Sequence, residues 1–161
     1  MGLGRYVAMP AVCCALAVAG CGGSSSSSGT LTHAQLVSKV NAICAQRNTK
    51  IAALPKAFAN PSSLRQLATY LGDLEAINVP LLNQLYALKP PASDTATWND
   101  AVKDNRQITQ LIAQAKTSAQ AGNVAEVRKI EIELQPINAS LRSDAGKLGL
   151  TECLKQPLPS G

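Results

Sequence analysis

Aromatic side chains are scarce. They make up 3% of the 161 residues, and after the first twenty only Phe58, Tyr70, Tyr86 and Trp98 remain. A core must therefore be built from Leu, Ile, Val and Ala, which suits closely packed helices. Charge is also thin, at 16% against 46% apolar residues, the reverse of the profile that keeps a chain disordered. There is no basic run: the net charge of +5 is spread among interspersed signs, so nucleic acid is not an expected partner. Histidine occurs once, at His33, next to a helix-cap signal, and a lone imidazole cannot build a metal cage or serve a nucleophile that has no motif around it. Glu-x-x-His pairs, a glycine-rich phosphate loop and Cys-x-x-Cys are all missing. These absences predict a non-catalytic protein with no metal and no cofactor.

What is present begins with an address. Arg5 is followed by an apolar stretch from Val7 to Ala19, shorter than the ~20 residues a membrane span needs and suited to the h-region of a signal peptide. Val18-Ala19-Gly20-Cys21 resembles the lipobox of bacterial lipoproteins. That resemblance implies a diacylglyceryl thioether on Cys21, acyl chains such as palmitate, and cleavage just before it. Gly22-Gly23, the serine run 24–28 and Gly29 follow as a flexible spacer, whose end-to-end distance of roughly 15–18 Å lets a folded domain stand just off a membrane. The expected organisation is thus a signal peptide over 1–20, a lipidated cysteine and linker over 21–30, and one domain over 31–161. The expected location is the cell membrane, on its extracytoplasmic face. Without Arg5 the mature chain has 14 basic and 10 acidic residues, a balance of +4.

The cysteines divide by fate. Cys13 and Cys14 leave with the leader, Cys21 carries lipid, and Cys44 and Cys153 remain as an even pair in an oxidising compartment. One disulfide between them is expected, with two buried free thiols or a redox site as the competing readings, the latter disfavoured because no His neighbours either thiol.

The domain reads as all-α: four helices in an up-down-up-down bundle. Thr32 with Gln35 forms a capping-box signal, and Leu31 with Leu36 a hydrophobic staple. Leu36, Val40, Ile43, Cys44, Ile51 and Leu54 then make a helical stripe broken only by Arg47, and Pro55 closes it. Asn60 and Pro61 read as the N-cap and first residue of helix two, whose leucine stripe runs from Leu64 to Leu88 across Pro80. Ser93 or Asp94 opens helix three, with Trp98, Val102, Ile108, Leu111, Ile112 and Ala115 facing inward and Asn105 on the same face. Gly122 ends it. Asn123 with Glu126 starts helix four, which carries Val127 to Leu148 across Pro136, and Gly149 is a natural terminator. Cys44 stands about 18 Å along helix one. The tail must therefore turn at Gly149 and run back along that helix, or the helix ends must be offset, for Cys153 to reach it.

Asn41-Ala42-Ile43-Cys44-Ala45, Ile51-Ala52-Ala53-Leu54-Pro55, Leu88-Lys89-Pro90-Pro91-Ala92 before Trp98, and Leu148-Gly149-Leu150-Thr151-Glu152-Cys153 together resemble a group of small secreted or lipid-anchored proteins of actinobacteria. The resemblance implies the same Cys44–Cys153 pairing and transfers no activity.

Two features could carry binding. Pro80 and Pro136 fall at neighbouring levels of the bundle, and each frees the carbonyl four residues earlier, at Ala76 and Ile132. The helices could splay there around a small apolar pocket; alternatively side chains or water fill the gap. Val79, Leu82 and Tyr86 lie off the main face of helix two, either as a partner patch or as the edge of a wide buried stripe. Asn138-Ala139-Ser140 matches the N-glycosylation sequon but reads as accidental in mid-helix. The leading expectation is a membrane-tethered binding or scaffolding module with an envelope protein as partner. The alternative is a carrier that holds a small apolar or lipid ligand in the bundle, and the weakest reading is an enzyme whose site the sequence does not reveal.

Overall fold

A computed structural model describes residues 29–55 and 61–155. The leader, Cys21 and the expected cap Asn60 lie outside the described residues.

Helix α1 (His33–Ala52) starts as its sequence predicts. The Thr32 hydroxyl accepts from the Gln35 amide at 3.3 Å, and the Gln35 side chain accepts from the Thr32 amide at 2.9 Å. This reciprocal pair satisfies two amides that the first turn leaves without helical partners. Helix α2 (Leu64–Tyr86) starts later than expected, with Ser63 rather than Asn60 as its cap. The reason is local: the Ser63 hydroxyl accepts from the Gln66 amide at 3.3 Å, while the Gln66 side chain accepts from the Ser62 amide at 2.8 Å. Those bonds fix the first turn at Leu64 and leave Pro61 outside the helix.

Helix α3 (Thr95–Gln120) begins after Asp94, whose carboxylate does not cap it. Instead Asp94 Oδ2 lies 2.7 Å from His33 Nδ1, joining the starts of α1 and α3. His33 is exposed, as its place in the first turn predicts, but it is not simply solvated. Helix α4 (Val124–Lys147) follows a sharp turn at Gly122, where φ is +75°, and Asn123 accepts from the Glu126 amide at 3.1 Å. Gly149, at φ +72°, reverses the chain into a short helix, α5 (Thr151–Leu154). Both glycines adopt a backbone conformation that L side chains resist. Both prolines stay inside their helices, which continue through them.

The main helices pack in sequence, α1 on α2, α2 on α3 and α3 on α4. Their directions follow from two buried clusters. One joins Leu36, Val40 and Cys44 near the start of α1 to Leu85 at the end of α2, Trp98 at the start of α3, and Ala145 and Leu148 at the end of α4. The other joins Tyr70, Leu71 and Leu74 of α2, Leu111 and Ala115 of α3 and Ile130 of α4, with Ile51 and Leu54 of α1 packed against it. Each helix therefore runs from one cluster to the other, and neighbours run in opposite directions: up, down, up, down.

The tail joins the last helix to the first by the first of the two routes the sequence allowed, a turn at Gly149 and a return along α1. α5 packs against both α1 and α4. The turn at Gly149 brings Cys153 to Cys44, and the disulfide holds their Cα atoms 5.1 Å apart. Two asparagines of α1 complete the attachment: Asn41 Oδ1 accepts from the Glu152 amide at 3.1 Å, and Asn48 Nδ2 donates to the Glu152 carbonyl at 2.9 Å. Sequence and register thus answer the reach problem with a tail helix laid back along α1.

Candidate functional site

Between the two apolar clusters the core changes character. On α1, Arg47 falls between Cys44 and Ile51; on α2, Asn78 falls between Leu74 and Leu85. Asn105 lies between Trp98 and Leu111 on α3, and Asn138 between Ile130 and Ala145 on α4. Each of the four long helices contributes at least one polar residue to the wall of one cavity of about 130 Å³: Arg47, Asn78, Asn105 with Thr109, and Asn138 with Arg142.

The rest of the cavity wall is largely apolar. Leu82, Tyr86 and Trp98 form part of it, with Ile108 and Ile112 on the α3 side. Cys44, Cys153 and Leu154 complete it, so the disulfide and α5 are part of the wall. Arg142, exposed on α4, also lines it, which places a second cation at the rim.

Three electrostatic features set this layer apart from an ordinary core. Arg47 Nε donates to Asn78 Oδ1 at 2.7 Å, which fixes the plane of the guanidinium. Burial pulls the Arg47 guanidinium below its ordinary value, the Tyr70 phenol acting in the opposite direction. Among the described residues no carboxylate forms a salt bridge with Arg47. Asn138 Oδ1 is buried without a hydrogen-bond partner among the described residues. A buried polar atom without a partner costs about 1–3 kcal/mol, so native cores rarely keep one without a reason.

Tyr86 is held from both sides. Arg106 lies over its ring with the guanidinium carbon 4.7 Å from the centroid, and its hydroxyl is hydrogen-bonded with Thr109. Burial raises both Tyr70 and Tyr86 above the ordinary phenol value of 10.0, with Arg47 and Arg106 respectively opposing the rise. A phenol whose folded value exceeds its unfolded value supports the fold below the unfolded value and loses that support as pH rises through the folded one. The expected result is a tyrosinate absorbance titration of the native mature protein that lies above pH 10 for both phenols, with thermal stability falling over the same window. Denatured protein should titrate near 10.0. Native and denatured curves that coincide would contradict the burial of these rings.

No protein-family model, curated protein or solved structure matches the chain. The chemistry of the site must be read from its own residues.

The residues that the sequence put forward are distributed unevenly around this cavity. Leu82 and Tyr86 line it, half-buried and packed on the upper cluster, whereas Val79 is 40% exposed. That stripe is the rim of the buried face of α2, not a separate surface patch. Ala76, Pro80, Ile132 and Pro136 do not line the cavity and are exposed, Ile132 at 67%. A proline on the solvent side frees a carbonyl that water can satisfy, so the bundle has no need to open there. The cavity lies instead at the level of the polar layer. The sequence had marked two of that layer's members, Arg47 and Asn105, only as interruptions of apolar stripes.

The Glu126, Glu131 and Glu133 face of α4 is largely solvated, with Lys129 3.3 Å from Glu126. Among the described residues there is no group of three or more His, Cys, Asp or Glu that could hold a metal ion, and no helix long and apolar enough to cross a membrane.

Proposed function

We propose that this protein is an exported lipoprotein of the cell envelope, anchored through Cys21, whose helical domain binds a small guest without transforming it. The observation that carries the binding half is the mid-level polar layer: four helices each present a polar residue to one internal cavity. A bundle stabilised only for its own sake gains nothing from placing an arginine and three asparagines there, since an apolar filling of similar volume is usually as stable or more so. The unpartnered Asn138 Oδ1 supports the same reading, because it marks a polar position that no described residue satisfies. This favours the carrier reading over a scaffold, for which exposed Val79 and Ile132 offer only scattered apolar side chains.

The anchoring half rests on Val18-Ala19-Gly20-Cys21 and the Gly/Ser spacer that follows. A tether of that kind keeps a binding domain at the membrane surface, where two or more acyl chains hold stably and one would not.

Native mass spectrometry of the protein taken from its own membranes tests both halves. The expected species starts at Cys21, carries a diacylglyceryl mass and one disulfide, and releases a small molecule on activation. A chain that retains Met1 and carries no lipid would overturn the anchor, and a lipidated chain that never carries a guest would overturn the binding role.

A further inference from the structure

The polar layer also defines the chemical class of the guest, an inference that rests on the binding role just described. We propose that the cavity takes a small monocarboxylate, its carboxylate on Arg47 and its apolar body against Trp98, Tyr86 and Leu82.

Charge is the first argument. Among the described residues the cavity wall holds Arg47 and Arg142 and no Asp or Glu, so the site is complementary to an anion. Arg47 forms no salt bridge among the described residues, although a buried cation is costly unless it is paired. A guest carboxylate would supply the missing charge. Only one guanidinium lies inside, with Arg142 exposed at the rim, so a single negative charge is balanced better than the two of a phosphate monoester.

Geometry is the second. The bond from Arg47 Nε to Asn78 Oδ1 uses one of five guanidinium donors and holds its plane; the other four are the paired N–H groups of the two Nη atoms. Paired N–H groups of a fixed guanidinium match the two oxygens of a carboxylate.

Size is the third. At about 130 Å³ the cavity is close to the ~150 Å³ known to admit benzene in a dry protein core. A long acyl chain does not fit within it. A guest of benzoate size does, with its ring beside Trp98, which is 5% exposed, and Tyr86, whose ring Arg106 covers from outside.

The test is calorimetric titration of the mature lipidated protein, held in neutral-lipid nanodiscs, with benzoate, benzamide and benzylammonium. These share a ring and differ in charge. Benzoate should bind at least about tenfold more tightly than benzamide, and benzylammonium should not bind. In Arg47→Met, benzoate affinity should fall by about 10- to 100-fold and its preference over benzamide should disappear. Equal affinity for benzoate and benzamide, or benzoate affinity that survives in Arg47→Met, overturns the carboxylate assignment and leaves a neutral-guest role standing. Failure of all three probes to bind also overturns it, and the binding role is then judged by the mass spectrum of the native protein. The benzoate-to-benzamide ratio is measured on the unsubstituted protein, so the test survives a variant that folds badly.

Discussion

With Cys153 replaced by serine, the protein is expected to unfold with up to about 4–5 kcal/mol less stability than the oxidised parent, as read by urea denaturation. The bond spans a sequence separation of 109 residues, so cutting it returns most of the domain's chain to an unconstrained unfolded state. The loss should also be local in a way that ordinary destabilisation is not. α5 consists of four residues, packs mainly on α1 and α4, and once the sulfurs part is held by the Asn41 and Asn48 bonds to Glu152 and the apolar contacts of Leu154. It should therefore detach before the bundle melts, exposing the side of the cavity that Cys153 and Leu154 close. Amide exchange at 150–154 rising well ahead of the four long helices would show this. Serine variants whose stability equals the parent's, with α5 still protected, would mean that the bond has no structural role.

The second large effect separates two isoleucines two residues apart on α4. Ile130→Ala should cost about 2–5 kcal/mol, whereas Ile132→Ala should stay within about 0.5 kcal/mol. Ile130 is 2% exposed and sits among Leu71, Leu74 and Leu111, where truncation leaves a cavity that the neighbours cannot fully close. Ile132 is 67% exposed on the other side of α4. The contrast bears on the site, because Ile132 is where a proline-opened pocket would have lain. If Ile132→Ala were the more damaging change in thermal denaturation, the assignment of inner and outer faces on α4 would be wrong.

The periodic features of this chain were legible and its singular ones were not. The stripes through Leu36, Leu71, Ile108 and Ile130 read directly as helix faces because burial enforces their spacing. The Thr32 box, the Asn123 cap and the Gly149 turn were equally plain, since each follows from hydrogen bonding or φ within a few residues. The start of α2 was misplaced because Asn60-Pro61 and Ser63 offer competing caps, and only the Gln66 side chain decides between them. The prolines attracted attention that their positions do not sustain, because sequence alone does not tell which side of a helix meets solvent at a kink.

The candidate site was hidden for the converse reason. Arg47 and Asn105 looked like blemishes on apolar stripes, and Asn138 looked like an incidental sequon. Asn78 sits within the α2 leucine ladder but is buried with its side chain on Arg47. Each alone is unremarkable. They become a site only when four antiparallel helices bring them to one level, a long-range fact that no local pattern carries. A polar residue on the core face of every helix is the pattern to look for, since such residues share one buried layer once the helices pack.

The most direct test of that layer is side-chain nuclear magnetic resonance of the mature protein as benzoate is added. The account predicts that the Arg47 Nε signal and the Asn78, Asn105 and Asn138 side-chain amide signals move together with one binding curve, while the methyl signals of the exposed Val79 and Ile132 near the prolines stay still. Shifts confined to the proline faces, or the same four signals unmoved at saturating benzoate, would contradict it.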